Sequence, residues 1–253
     1  MSNIISHKNK IILALSLCAL HSSAWSAEIT VAAAASLTDA FQVISRNFEK
    51  KYPNTKVNLT FASSGTLLQQ LRNGAPIDVL ATADQQTMND AQSSALIQNK
   101  TRVNFSSNKL VLIAPRNSTL KIKSLNDLTQ ANIKHIALGN PAHTPAGRYA
   151  QASLEKQKLW HPIQDKLIKT QNVRHALDYV ARGETEVGFV FSSDVLSQPD
   201  KVKVIMNVAT TEAITYPIAV TAKTTVSKDA QSFIQYVKSD AAQQTLQQYG
   251  FLK

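Results

Sequence analysis

Twice in this chain an apolar strand runs into small residues, then a serine, then a helix. Ile29-Thr30-Val31-Ala32-Ala33-Ala34-Ala35 meets Ser36 and a helix predicted from Leu37. Val57-Asn58-Leu59-Thr60-Phe61-Ala62 meets Ser63-Ser64-Gly65 and a helix predicted from Thr66. The spacing places Ser36 and Ser64 at helix N-caps. The first-turn N–H groups there lack intrahelical partners, the helix dipole is positive, and a hydroxyl adds a donor, so each junction suits an anion. A serine cap is also ordinary helix punctuation that needs no ligand. Two such junctions converging after adjacent strands would make an oxyanion receptor.

The joints continue in regular alternation. Ser36 with Asp39 fits a capping box, and Leu37, Ala40, Phe41, Ile44 and Phe48 follow at helical spacing up to about Lys51, before Pro53. Leu67, Leu68 and Leu71 mark a second helix stopped by Gly74. Ile77–Ala81 is a third strand, leading to a helix around Gln85–Ala95. Such a β-α-β-α-β-α series predicts a parallel, doubly wound sheet, whose ligands bind beyond the carboxyl ends of the strands, where Ser36 and Ser64 fall.

A second unit begins after Lys109–Ala114 and Pro115. His135–Leu138 is a strand, Pro145-Ala146-Gly147 opens a helix to about Gln157, Asn172 caps another carrying Val173, Ala176, Leu177 and Val180, and Val187–Phe191 is a strand. Proline is tolerated in a first helical turn because its missing N–H had no partner to lose. Ala146 and Val173 therefore mark two further helix starts in strand-following loops. Ile214–Val220 is a late strand, and helices near Lys228–Lys238 and Asp240–Tyr249 close the chain. No internal repeat or low-complexity linker is evident.

Residues 1–26 lie outside that fold. Lys8 and Lys10 precede the apolar run Ile11–Leu20, and Ser22, Ser23, Ala24, Ser26 and Ala27 follow, the order of a cleaved signal peptide, too short in its apolar part to span a bilayer stably. Cleavage near Ser26 or Ala27 starts the mature chain beside Glu28. The only cysteine, Cys18, goes with the signal, so the mature protein has no disulfide, Cys-ligated metal or thiol nucleophile. A cysteine-free exported domain suits a bacterial periplasm, and lipidation of Cys18 is disfavoured because Leu17 precedes it where a small residue is expected.

Without Lys8 and Lys10 the chain keeps 25 basic against 17 acidic residues, a net charge of +8 that draws anions. The basic residues are scattered, as in Lys121-Ile122-Lys123 or Lys166-Leu167-Ile168-Lys169, with no dense block and no interleaved aromatics, so no nucleic-acid partner is expected. His135, His143, His161 and His175 are not at metal-ligand spacing, although His143 stands beside the candidate site and shapes its loop. Ser64 lacks the glycine-x-serine-x-glycine elbow of a nucleophile. Asp78, Asp84 and Asp194 read as caps and turn residues, and Arg148 and Arg174 as exposed helix arginines near two helix starts.

Ala33-Ala34-Ala35-Ser36-Leu37, Phe61-Ala62-Ser63-Ser64, Gly74-Ala75-Pro76-Ile77-Asp78, Ala83-Asp84-Gln85, Pro145-Ala146-Gly147-Arg148-Tyr149-Ala150, Asn172-Val173-Arg174 and Tyr249-Gly250-Phe251 together resemble the periplasmic molybdate-binding proteins of ABC importers. The resemblance spans the mature chain in order. It implies a two-lobed α/β periplasmic binding protein of type II, each lobe a mostly parallel sheet flanked by helices. Residues 28–109 with 216–253 would form lobe I and 110–215 lobe II, with Lys109–Ala114 and Thr215–Val220 as crossing strands. By the same resemblance, molybdate or tungstate is held by the hydroxyl and N–H of Ser36 and Ser64 and by the N–H groups of Ala146 and Val173. No cofactor, no enzymatic activity, a monomer and a membrane permease as partner are implied with it. A binding protein for sulfate or phosphate is the alternative, and an exported two-lobed enzyme a distant one.

One position departs from the family. Phe191 stands where a tyrosine usually offers its hydroxyl, so one donor must be absent or supplied by Ser192 or water. A hydrogen bond to a charged ligand is worth about 1.5–3 kcal/mol.

Overall fold

A computed structural model describes residues 27–253; the signal segment and Cys18 lie outside the described residues. The chain alternates as expected through β1 (Ala27–Ala34), α1 (Thr38–Lys51), β2 (Thr55–Ala62), α2 (Ser64–Arg72), β3 (Val79–Ala81), α3 (Gln85–Ser93) and β4 (Val103–Asn108). A second run follows with β5 (Leu110–Pro115), β6 (Ile136–Gly139), α4 (Pro145–Lys156), β7 (Leu167–Thr170), α5 (Val173–Ala181), β8 (Val187–Phe191), the single turn α6 (Ser192–Val195) and β9 (Val202–Val208). β10 (Ile214–Val220), α7 (Ser227–Val237) and α8 (Asp240–Gln248) end the chain.

The strands form two five-stranded sheets of identical design, β2-β1-β3-β10-β4 and β7-β6-β8-β5-β9. In each, four strands point one way and the fourth in order, β10 or β5, runs against them. β10 thus returns to the first sheet after the second is complete, and β5 opens the second. The segments Lys109–Ala114 and Thr215–Val220 are strands within one sheet each and not the crossings themselves. The chain passes between sheets at Lys109, between β4 and β5, and at residues 209–213, between β9 and β10.

Burial explains the local choices. Central β1 is apolar on both faces, with Ile29, Val31, Ala32 and Ala33 fully buried, whereas edge strand β2 is mostly half exposed. The apolar stripe of α1, Ala40, Phe41, Ile44 and Phe48, packs on the first sheet. Phe233 of α7 meets Phe41 and Phe48 edge-on, with ring centroids 6.1 and 5.3 Å apart, which docks the C-terminal helices on the first sheet. Removing such a buried ring costs about 3–5 kcal/mol. Pro217 lies in the interior strand β10, where the register against β4 shifts between Tyr216 and Pro217, a bulge that accommodates a residue with no N–H for the ladder.

Candidate functional site

Four strand-to-helix joints, after β1, β2, β6 and β7, meet at one point between the two sheets. The walls of a small cavity there include Ser36, Ser64, Ala146 and Val173, together with Ala34, Ala35, Ser63, Ala83, Thr144, Pro145, Asn172 and Phe191. None of these lining residues is charged, and Ser36, Ser64, Ala146 and Val173 are all buried.

The two serines sit one step away from where capping alone would place them. Four successive alanines let β1 run into a tight 3₁₀ turn at Ala35–Leu37, so the α-helix starts at Thr38 and Ser36 is neither its N-cap nor half of a capping box. Asp39, the expected partner, reaches Arg174 instead, at 2.8 Å. The Ser36 hydroxyl meets the Tyr216 hydroxyl at 3.0 Å. After β2 the cap is Ser63, whose Oγ accepts the Thr66 N–H, which makes Ser64 the first helical residue. Ser64 Oγ accepts the Ala83 N–H at 3.0 Å, so its own proton is free for another acceptor.

On the other side Pro145 and Ala146 open α4, and Asn172 caps α5 by accepting the N–H groups of Arg174 and His175 at 2.9 and 3.1 Å. This accounting leaves particular donors over. Among the described residues, the N–H groups of Ser36, Ser64, Ala146 and Val173 have no acceptor, nor do those of Ala35, Ser63 and Asn172, and all seven residues belong to the cavity wall. Buried N–H groups are rarely left alone. Neutral donors preset by backbone geometry can replace the hydration of an anion without a buried cation.

Charged groups surround the cavity from behind. Arg148 on α4 donates through Nε to Asp84 at 3.0 Å and through Nη2 to Thr87 Oγ1 at 2.8 Å, both on the side of the first sheet. Arg174 on α5 bridges three groups: Asp194 at 2.7 Å, Asp39 at 2.8 Å and the Ser36 carbonyl at 3.3 Å. Both arginines, expected as exposed helix residues, are instead largely buried and tie the two halves together. Burial works to lower the Arg174 guanidinium, but Asp194 and Asp39 outweigh it and hold it above its ordinary value. Burial raises the Asp194 carboxyl, against the pull of Arg174 and the Phe191 N–H. Asp84 also caps α3, and Asp78 accepts the Thr30 N–H, as expected of cap and turn residues. A backbone bond from Gly65 N–H to the His143 carbonyl, 2.9 Å, joins the halves at the cavity rim.

Phe191 lines the cavity with its ring edge-on to Tyr149 and Tyr216, at 6.4 and 5.9 Å between centroids. Ser192 does not replace the missing hydroxyl: its Oγ donates to Asn108 Oδ1 at 2.8 Å and is not part of the wall. No group of three His, Cys, Asp or Glu side chains able to hold a metal ion occurs among the described residues.

The family model for bacterial extracellular solute-binding proteins matches residues 29–252. The molybdate-binding protein ModA of Haemophilus influenzae is 36% identical over 237 residues, 91% of this chain and 92% of that protein. ModA of Escherichia coli is 37% identical over 229 residues, 88% of each. In fold, the chain is similar to the periplasmic molybdate-binding protein of Azotobacter vinelandii, with a TM-score of 0.79 at 22% identity, covering 89% of this chain and 99% of that one. Paired sheets with helix starts facing a common cleft, in a match that runs from residue 29 to residue 252, make this chain a member of the bacterial extracellular solute-binding protein family.

Proposed function

We infer that this protein captures molybdate, and tungstate by the same geometry, between its two sheets and delivers it to the permease of an ABC importer. The observation that carries the reading is that residues with unpartnered N–H groups, Ser36, Ser64, Ala146 and Val173 among them, converge on one small uncharged cavity. The Ser64 hydroxyl, whose oxygen already accepts the Ala83 N–H, adds a further donor. The names of the relatives supply the ion. Donors fixed by backbone set the size of the hole, so discrimination against the smaller sulfate follows from metal–oxygen bond length and not from charge.

Residues 28–109 with 216–253 act as one lobe and 110–215 as the other, and rotation about the crossings opens and closes the cleft. Closure buries the ion and creates the surface that a permease reads. The protein works as a periplasmic monomer after loss of its signal peptide, and it transforms nothing. Calorimetry on the ligand-stripped mature chain tests this: molybdate and tungstate are expected to bind one per molecule, with sulfate and phosphate silent at the same concentrations. Equal binding of sulfate or phosphate would transfer the assignment to that ion.

A further inference from the structure

The Ser36 hydroxyl contacts a tyrosine hydroxyl, and either oxygen of such a pair can donate. What surrounds the pair removes the ambiguity. The Lys109 N–H can only donate, and it donates to Asn108 Oδ1 at 2.8 Å, with Ser192 Oγ donating to the same oxygen at 2.8 Å. That fixes which end of the Asn108 amide is oxygen. Its Nδ2 therefore donates both its protons, to Ser193 Oγ at 2.8 Å and to the Tyr216 hydroxyl at 3.2 Å. With the Asn108 amide donating to it, the buried Tyr216 hydroxyl still has its own proton to place, and Ser36 Oγ is the one acceptor within reach among the described residues, so Tyr216 donates to Ser36 Oγ. Ser36 is then left with a proton that has no acceptor among the described residues except what enters the cavity it lines.

We propose that Asn108 and Tyr216 are positioning residues that lock the Ser36 hydroxyl as a donor toward the bound oxyanion, through a one-way relay that starts at the Lys109 N–H. The proposal rests on the oxyanion reading of the cavity. Every member of the relay but Lys109 and Ser192 is buried, so water does not scramble its direction. Burial also keeps the Tyr216 phenol protonated far above its ordinary range. Ser64 is set by the simpler version of the same device, with the Ala83 N–H as the fixed donor. Both hydroxyls thus have their polarity dictated by main-chain groups, and both present protons. A site that presents only donors favours anion oxygens carrying no proton of their own. The relay also starts at the one residue where the chain passes from the first sheet to the second, and it takes in Ser192 and Ser193 from beyond β8, so the polarity of Ser36 is tied to the arrangement of both halves.

A double-mutant cycle read by molybdate calorimetry tests it, with Tyr216→Phe, Ser36→Ala and the pair. Tyr216→Phe is expected to weaken binding roughly tenfold, the equivalent of one hydrogen bond. Ser36→Ala should weaken it at least as much, and the double variant should match Ser36→Ala within about twofold, because Tyr216 acts only through that hydroxyl. Multiplying losses, or wild-type affinity in Tyr216→Phe, would overturn the relay while leaving the ligand assignment intact. A wild-type protein silent to molybdate and tungstate overturns the ligand reading, and the relay with it. Proton NMR on the unmutated protein gives a second readout. A slowly exchanging Tyr216 hydroxyl proton close to the Ser36 Cβ protons is expected, and one exchanging at the solvent rate would refute the proposal.

Discussion

Replacing Gly65 by alanine should impair capture of the ion while sparing the fold. A Cβ on Gly65 would lie 2.7 Å from the His143 Cα and carbonyl oxygen and 2.9 Å from its Cβ, whereas ordinary contact begins at 3.4 Å. The two backbones must part by about 0.7 Å, which stretches the Gly65 N–H to His143 carbonyl bond from 2.9 Å beyond hydrogen-bonding range. One lost backbone bond at about 1 kcal/mol and the strain of overpacking at about 1–3 kcal/mol together give about 2–4 kcal/mol. All of it falls on the closed form, because Gly65 and His143 belong to opposite halves. Affinity for molybdate should fall roughly 30- to 900-fold in calorimetry. The ligand-free unfolding midpoint should stay near wild type, since open lobes relieve the contact. Gly147→Ala is the control. Its Cβ would meet the Gly139 carbonyl oxygen at 1.9 Å inside the second half, where no opening relieves it, and the ligand-free midpoint should drop by several degrees. Wild-type affinity in Gly65→Ala, or a loss of ligand-free stability like that of Gly147→Ala, would refute the reasoning.

Phe191→Tyr should tighten molybdate binding by roughly tenfold or more, as a hydroxyl added at the cavity wall gains a bond to a charged ligand; calorimetry showing unchanged or weaker binding would mean that the para position points elsewhere. Alkaline titration tests the buried phenols. Burial, chiefly, raises both Tyr149 and Tyr216, so the folded state keeps protons that the unfolded state releases above about pH 10. These groups contribute their stability fully below that pH and lose it as the pH rises, so two tyrosinate equivalents at 295 nm should appear together with loss of the near-UV circular dichroism and not before it.

Much of the scaffold was legible because strand and helix alternate with short joints. The strands that periodicity missed are β4, β7 and β9, and all three are sheet edges. An edge strand is short and half solvated, so Val103-Asn104-Phe105-Ser106-Ser107-Asn108 and Leu167-Ile168-Lys169-Thr170 dilute their apolar signal with polar residues. That Ser36, Ser64, Ala146 and Val173 stand where strands turn into helices was legible, because such joints follow from the alternation itself, and all four line the cavity. The helix cap was misplaced by one residue at each joint, Leu37 in place of Ser36 and Ser63 in place of Ser64, since the 3₁₀ turn after Ala34 and the choice of Ser63 depend on backbone angles that composition does not encode. Tyr216 and Asn108 were missed because their partners lie 180 and 84 residues away, Ser36 for one and Ser192 for the other. The one local clue was a tyrosine next to a proline in an otherwise apolar strand.

The placement of β10 bears on the order in which the molecule can assemble. Strands β5 to β9 occupy one unbroken stretch of sequence, so the second sheet has all its members once the chain has emerged as far as Val208. The first sheet has a gap between β3 and β4 until β10 arrives, more than a hundred residues after β4. The half that emerges first is therefore the half that finishes last. A chain built this way keeps its N-terminal strands uncommitted until β10 is present, and its two halves can mature at separate times.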